Sequence, residues 1–188
     1  TRADFGLMQS TLSQIAATPG LALDVIVTGM HLSPAFGMTV DEIRAAGLSI
    51  AAEVPVPLEP ANGATMARNI GTMLMAFTDT LERIRPDIVL LLGDRGEMLA
   101  GALAAIHLNI PVAHIHGGER SGTVDEPVRH AISKLSGYHL VATGESRERL
   151  IRMGEAPQRI FVTGAPGLDG LDLLKHVRAD GALSSLPV

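Results

Sequence analysis

The stretch IVLLLGDRGEMLAGALAAIHLNIPVAHIHGGE, residues 88–119, decides how this chain is read. Ile88–Leu92 is an unbroken apolar run, short and without polar alternation, and predicts a strand buried on both faces. Gly93-Asp94-Arg95-Gly96-Glu97 ends it. A helical pattern follows over Met98–Leu108, and Val112–Ile115 is a second short apolar strand running into His116-Gly117-Gly118-Glu119. Strand, helix and strand in this span describe a parallel βαβ unit.

The same alternation extends in both directions. Further strands are expected at Leu23–Thr28, Leu48–Val54, His139–Ala142 and Ile160–Thr163. Helical patterns cover Thr39–Ala46, Glu126–Ser136, Ser146–Met153 and Leu168–Val177. The clearest places Met66, Ile70, Met73, Leu74, Phe77, Leu81 and Ile84 on one face of a helix ended by Pro86, with the methionines read as core packing. Val54–Pro60 reads as a loop and Asn62 as the cap of that helix. Short buried strands, each followed by a helix, make this an α/β chain with a doubly wound parallel sheet. Thr1–Gly6 reads as a loop feeding a helix with no strand before it. Because the first strand of a doubly wound sheet is central, we expect it to be missing from this sequence. Residues 181–188 trail off like a linker.

Composition narrows the function classes. Apolar residues make up 46% and charged residues 19%, which describes a globular chain. The net charge of −5 and the lack of a Lys/Arg block argue against a nucleic-acid face. With one Tyr, four Phe and no Trp, base stacking has little to work with. The absence of cysteine removes disulfides and thiolate metal sites and fits a cytoplasmic protein. No run is long enough to span a membrane. No His/Glu pair has zinc spacing, so no metal is expected, and neither Ser10 nor Ser136 has triad partners at a known spacing.

Open parallel sheets bind ligands outside the carboxyl ends of their strands. Four polar segments fall on that rim, three of them with glycine: residues 1–4, Gly29-Met30-His31, Gly93–Glu97 and His116–Arg120. Together they would bring Arg2, His31, Asp94, Arg95 and Glu119 to one cleft. Taken singly, each has a plainer reading. Gly-Asp after a strand is often a turn, Gly117-Gly118 serves as a flexible turn as often as a phosphate cradle, and His114, inside a strand, reads as a satisfied core histidine. Thr123-Val-Asp-Glu126 reads as a capping box. Asp125–Arg129 and Glu126–His130 are i,i+4 pairs.

The segments Thr1-Arg-Ala-Asp-Phe-Gly6, Thr28-Gly-Met-His-Leu-Ser33, Gly93-Asp-Arg-Gly-Glu97, His114-Ile-His-Gly-Gly-Glu119 and Asp125-Glu-Pro-Val-Arg-His130 resemble the hydrolysing UDP-N-acetylglucosamine 2-epimerases. The resemblance runs from Thr1 to about Asp169. It implies a Rossmann-like domain forming the N-terminal half of a two-domain GT-B fold, with residues 1–175 as the domain and 176–188 as a linker toward the second. The implied reaction converts UDP-N-acetylglucosamine to N-acetylmannosamine and UDP, by removal of the C2 proton and expulsion of UDP from C1.

By the same resemblance Asp94, Glu119 and Asp125 are the catalytic carboxylates. Arg2, His31, Arg95, His116, Glu126, Arg129 and His130 contact substrate or orient the acids. No cofactor is implied, and a homo-oligomer, dimer or tetramer, is expected. A UDP-2,4-diacetamido sugar as substrate, a non-hydrolysing epimerase and a non-catalytic sugar-nucleotide-binding module are the alternatives. Because most of the nucleotide-binding surface of this fold belongs to the second domain, the chain alone is expected to turn over little.

Overall fold

A computed structural model describes residues 2–122 and 125–168, without the side chains of Arg2 and Ala3. Helix α1 (Arg2–Ala17) leads into strand β1 (Asp24–Thr28), helix α2 (Val40–Ala45) and strand β2 (Ser49–Val54). Next come α3 (Gly63–Ile84), β3 (Val89–Leu92), α4 (Gly96–His107), β4 (Val112–Ile115), α5 (Glu126–Leu135), β5 (Tyr138–Val141), α6 (Gly144–Arg152) and β6 (Ile160–Val162). Every strand expected from the apolar runs is present. Leu168 ends a 3-10 turn (Pro166–Leu168), and the rest of the expected helix at 168–177 and the linker at 176–188 lie outside the described residues.

All strand pairs are parallel, but they form two sheets, β1-β2 and β3-β4-β5-β6. β1 and β3 do not pair with each other. Helix α1 packs across both sheets. Phe5 joins the core of β1 and α2 around Val27, Val40 and Ile43, while Met8 packs on Leu92 and Ile115. On the opposite face Leu91 and Val112 join α3, α4 and α5 around Met73, Phe77, Leu81 and Ile132. Adjacent residues of β3 thus serve opposite faces, which is why that strand reads as an unbroken apolar run.

Two expectations need correction. Residues 2–6 are helical and not a loop. Gly6 weakens the local helix signal, and burial of Phe5 and Met8 overrides it. Met66 is 60% exposed, whereas Met73 is buried as expected. The 22 residues of α3 span about 33 Å, against about 13 Å for a four-residue strand, so its first turn overhangs the core.

Asn62 caps α3 by accepting from the Thr65 N–H at 2.9 Å. Asn62→Ala is expected to cost about 1 kcal/mol, read from urea melts, and an unchanged midpoint would remove the cap from the account.

Candidate active site at the strand rim

Strand β3 ends at Leu92, and Gly93, with φ +82°, turns the chain so that Asp94 stands on the carboxyl rim of the sheet. The neighbouring β4 ends at Ile115, and His116 after it is a non-glycine residue at φ +63°. Strain of this kind persists where surrounding packing fixes it, often at functional sites.

Asp94 and Arg129 form an ion pair, Nη2 to Oδ2, across 35 residues of sequence. Arg129 projects from the first turn of α5 and is buried. Its Nε and Nη1 are buried without a hydrogen-bond partner among the described residues, as are Arg95 Nε, His116 Nε2 and His130 Nδ1. All belong to the segments after β3 and β4 and the start of α5, so the rim carries buried polar nitrogens beside its carboxylates, and those of Arg95 and Arg129 can only donate.

His114 ties this rim together from below. It is fully buried in β4, with Nε2 2.7 Å from the Gly93 carbonyl and Nδ1 3.1 Å from Ser133 Oγ on α5. A carbonyl only accepts, so Nε2 carries the proton. Burial, assisted by His139, Arg129 and His116, pushes the His114 pKa from its ordinary 6.5 down to about 4. Between those two values the unfolded chain binds more protons than the folded one. Stability is therefore complete above about pH 6.5 and falls as pH drops toward 4, by roughly 3 kcal/mol for this group. His139, also lowered mainly by burial, acts in the same direction. Urea melts at pH 7 and 4.5 check the slope, which His114→Gln should reduce; an identical slope in that variant would contradict the assignment.

Glu126 is placed differently from expectation. Asp125 is the N-cap of α5, so Glu126 is the first helical residue and not the third residue of a capping box; Thr123 lies outside the described residues. The Glu126 carboxylate reaches back to accept from the Gly122 and Ser121 N–H groups at 2.9 and 3.0 Å. These two bonds hold its pKa below the usual carboxylate value. Arg120 and His130 stand 3.9 and 3.8 Å away. Glu126 thus fastens the loop that follows Glu119, and its i,i+4 partner His130 is where spacing placed it.

The glycine pair acts through close packing. A Cβ on Gly117 would lie 3.0 Å from both His114 Nδ1 and Ser133 Oγ, and one on Gly118 would lie 2.5 Å from the Ser146 carbonyl oxygen. Arg149 on α6 also donates to the Gly118 carbonyl. Ser133 and Arg149 were not singled out from the sequence. For Ser133 a signal existed: it follows Arg129 by one helical turn and shares its face.

His116 Nδ1 stands 3.9 Å from Glu119 Oε1, and Arg95 Nε stands 3.6 Å from Glu97 Oε2. Gly29, after β1, lies beside Glu97, since a Cβ there would be 3.5 Å from Oε1. His31 is buried, with Nδ1 2.8 Å from Thr39 Oγ1. Asp125 is half-buried beside α5. The Arg2 side chain lies outside those described. Among the described residues no cluster of His, Asp and Glu could hold a metal ion, and no helix is long and apolar enough to cross a membrane.

Helices on both faces of parallel strands, with charged groups at the strands' carboxyl ends, define a Rossmann-like domain of the GT-B class, corresponding to its N-terminal half. The chain belongs to the UDP-N-acetylglucosamine 2-epimerase family, whose profile matches residues 13–185. It is 60% identical over 169 residues to a UDP-N,N'-diacetylbacillosamine 2-epimerase (hydrolyzing) of Legionella pneumophila, covering 90% of this chain and 45% of that protein. It is 40% identical over 169 residues to a UDP-N-acetylglucosamine 2-epimerase of Neisseria meningitidis, covering 90% and 44%. The structure of a Neisseria meningitidis UDP-GlcNAc 2-epimerase bound to UDP-GlcNAc superposes with a TM-score of 0.79 at 22% identity, covering 98% of this chain and 50% of that one. The chain thus spans about half the length of the relatives it matches.

Proposed function

We propose that the full-length protein is a hydrolysing 2-epimerase of a UDP-linked 2-acetamido sugar, and that this chain supplies its acid–base rim. The carrying observation is the Asp94–Arg129 pair at the end of β3, with further buried donors around it. A carboxylate of the set Asp94, Glu119 and Asp125 removes the C2 proton while the C1–O bond to UDP breaks. UDP leaves with the bonding pair, giving a C1=C2 glycal. Water then adds at C1 and a proton returns to C2 on the opposite face, so the sum is UDP-sugar plus water to free epimerised sugar plus UDP. Arg129 fixes the direction of the Asp94 carboxylate. The guanidinium N–H groups of Arg95 and Arg129 that lack a hydrogen-bond partner among the described residues suit an anionic ligand.

Sequence alone left the sugar open. The 60% identity to an enzyme named for UDP-N,N'-diacetylbacillosamine supports a UDP-2,4-diacetamido sugar as the substrate. UDP-N-acetylglucosamine is the second reading, supported by the 40% relative.

The test incubates full-length protein with each UDP-sugar in D2O and follows the products by proton NMR. The expected result is UDP plus a free 2-epimer deuterated at C2, faster from the diacetamido substrate. Retention of UDP on the epimerised sugar would replace this reading with the non-hydrolysing reaction, and no turnover of either sugar would leave a binding module.

A further inference from the structure

We propose that His114 is a positioning residue for the acid at the end of β3: its neutral Nε2–H form, locked by Ser133, fixes the Gly93 carbonyl and thereby the direction of Asp94. This rests on the reading of Asp94 as a catalytic carboxylate.

The contacts form a circuit that the α5 backbone closes between Ser133 and Arg129. The Gly93 carbonyl accepts from His114 Nε2 at 2.7 Å, and His114 Nδ1 meets Ser133 Oγ at 3.1 Å. Ser133 sits one turn beyond Arg129 on α5, with its Oγ also 3.1 Å from the Arg129 carbonyl. Arg129 returns to the Asp94 carboxylate. The peptide joining Gly93 to Asp94 is therefore held by His114 at its carbonyl, while Arg129 holds the side chain. Both grips trace to α5. The Gly93 N–H donates to the Ile115 carbonyl at 3.0 Å, so β4 holds the near side of the turn by its backbone and its carbonyl side by the His114 ring.

Chemistry fixes the tautomer. With Nε2 donating to a carbonyl, neutral Nδ1 can only accept, so the single Ser133 hydroxyl proton is shared between Nδ1 and the Arg129 carbonyl, each 3.1 Å from Oγ. A protonated ring would place a second N–H against Ser133 and turn that hydroxyl toward the Arg129 carbonyl. Burial opposes that state. Gly117 completes the arrangement, because any side chain there would press on the Nδ1–Oγ contact.

Two amides separate the ring's two bonds. In His114→Gln the amide nitrogen can stand near Nε2 and still donate to Gly93; in His114→Asn the amide reaches only the Nδ1 side. In full-length enzyme, His114→Asn is expected to lower kcat about 10²-fold with KM within about threefold, since a misaimed acid affects the transition state more than binding. His114→Gln should recover most of that loss at a matching unfolding midpoint. Equal kcat in the Asn variant and wild type, or equal loss in Asn and Gln, would overturn the proposal.

A substrate-free measurement covers variants that fail to fold and a reaction assigned wrongly. Imidazole 15N–1H correlation spectra of wild-type protein at pH 7 should show His114 neutral with the proton on Nε2. A proton on Nδ1, or a charged ring, would overturn the proposal whatever the enzyme turns over. An Nε2–H signal alongside no turnover of either UDP-sugar would instead sink the reading of the reaction.

Discussion

Asp94→Asn in the full-length protein is expected to lower turnover by about 10²- to 10⁴-fold, the range for losing a positioned acid or base. The substitution keeps size and leaves an oxygen that can still accept from Arg129, so the circuit through α5 survives. Its stability cost should therefore stay below the about 3–5 kcal/mol of deleting one partner of a buried ion pair. What it removes is the ability to take or give a proton. Glu119→Gln should fall into the same range, although Glu119 stands in a loop, with His116 Nδ1 3.9 Å from its Oε1. Single-turnover release of UDP, together with deuterium incorporation at C2, separates the two acids. The variant lacking the base loses both signals. One lacking only the group that returns the proton still releases UDP. Activity near wild type in both would remove these residues from the mechanism and leave Asp125 as the remaining carboxylate of the set.

Strand β3 was legible because packing on both faces leaves an unbroken apolar run, Ile88–Leu92, although only Val89–Leu92 is paired. Asn62 was legible because a cap is a local device read within three residues. Sequence spacing reaches no further than neighbouring helical turns, so it could pair Glu126 with His130 but not Asp94 with Arg129. The circuit through Gly93, His114 and Ser133 was hidden for the same reason; only the plain reading of His114 as a satisfied core histidine pointed at it. Met66 was misplaced because periodicity assigns a face to a whole helix, whereas the core ends before the helix does. Residues 2–6 were misplaced because Gly6 depresses local helix propensity, which packing against two sheets outweighs. The glycine pair after β4 shows the same limit: composition alone does not distinguish a phosphate cradle from a close helix contact, and the structure places α6 against Gly118.

That contact gives the second large effect. Gly118 adopts φ +73°, where an alanine is strained by about 1–3 kcal/mol before it meets any neighbour. A Cβ there would also stand 2.5 Å from the Ser146 carbonyl oxygen and 2.9 Å from Leu150 Cγ. The side chain could turn away, but the backbone oxygen cannot. It belongs to the first turn of α6, which Thr143 caps by accepting from the Ser146 N–H at 3.2 Å, and Leu150 below it is fully buried. Either the loop or the helix must shift. Gly118→Ala is therefore expected to destabilise the domain by at least about 2 kcal/mol and lower its unfolding midpoint by about 4 °C or more. Gly154, at φ +92° with nothing within 4 Å, supplies the control, since Gly154→Ala carries the backbone strain without the collision. A Gly118 variant no less stable than the Gly154 variant would mean that the loop gives way freely. The loop bearing Glu119 would then be held by Glu126 on its far side and not by α6. If the ordering is as expected, activity should fall with stability in Gly118→Ala alone, because displacing the glycine displaces the neighbouring carboxylate.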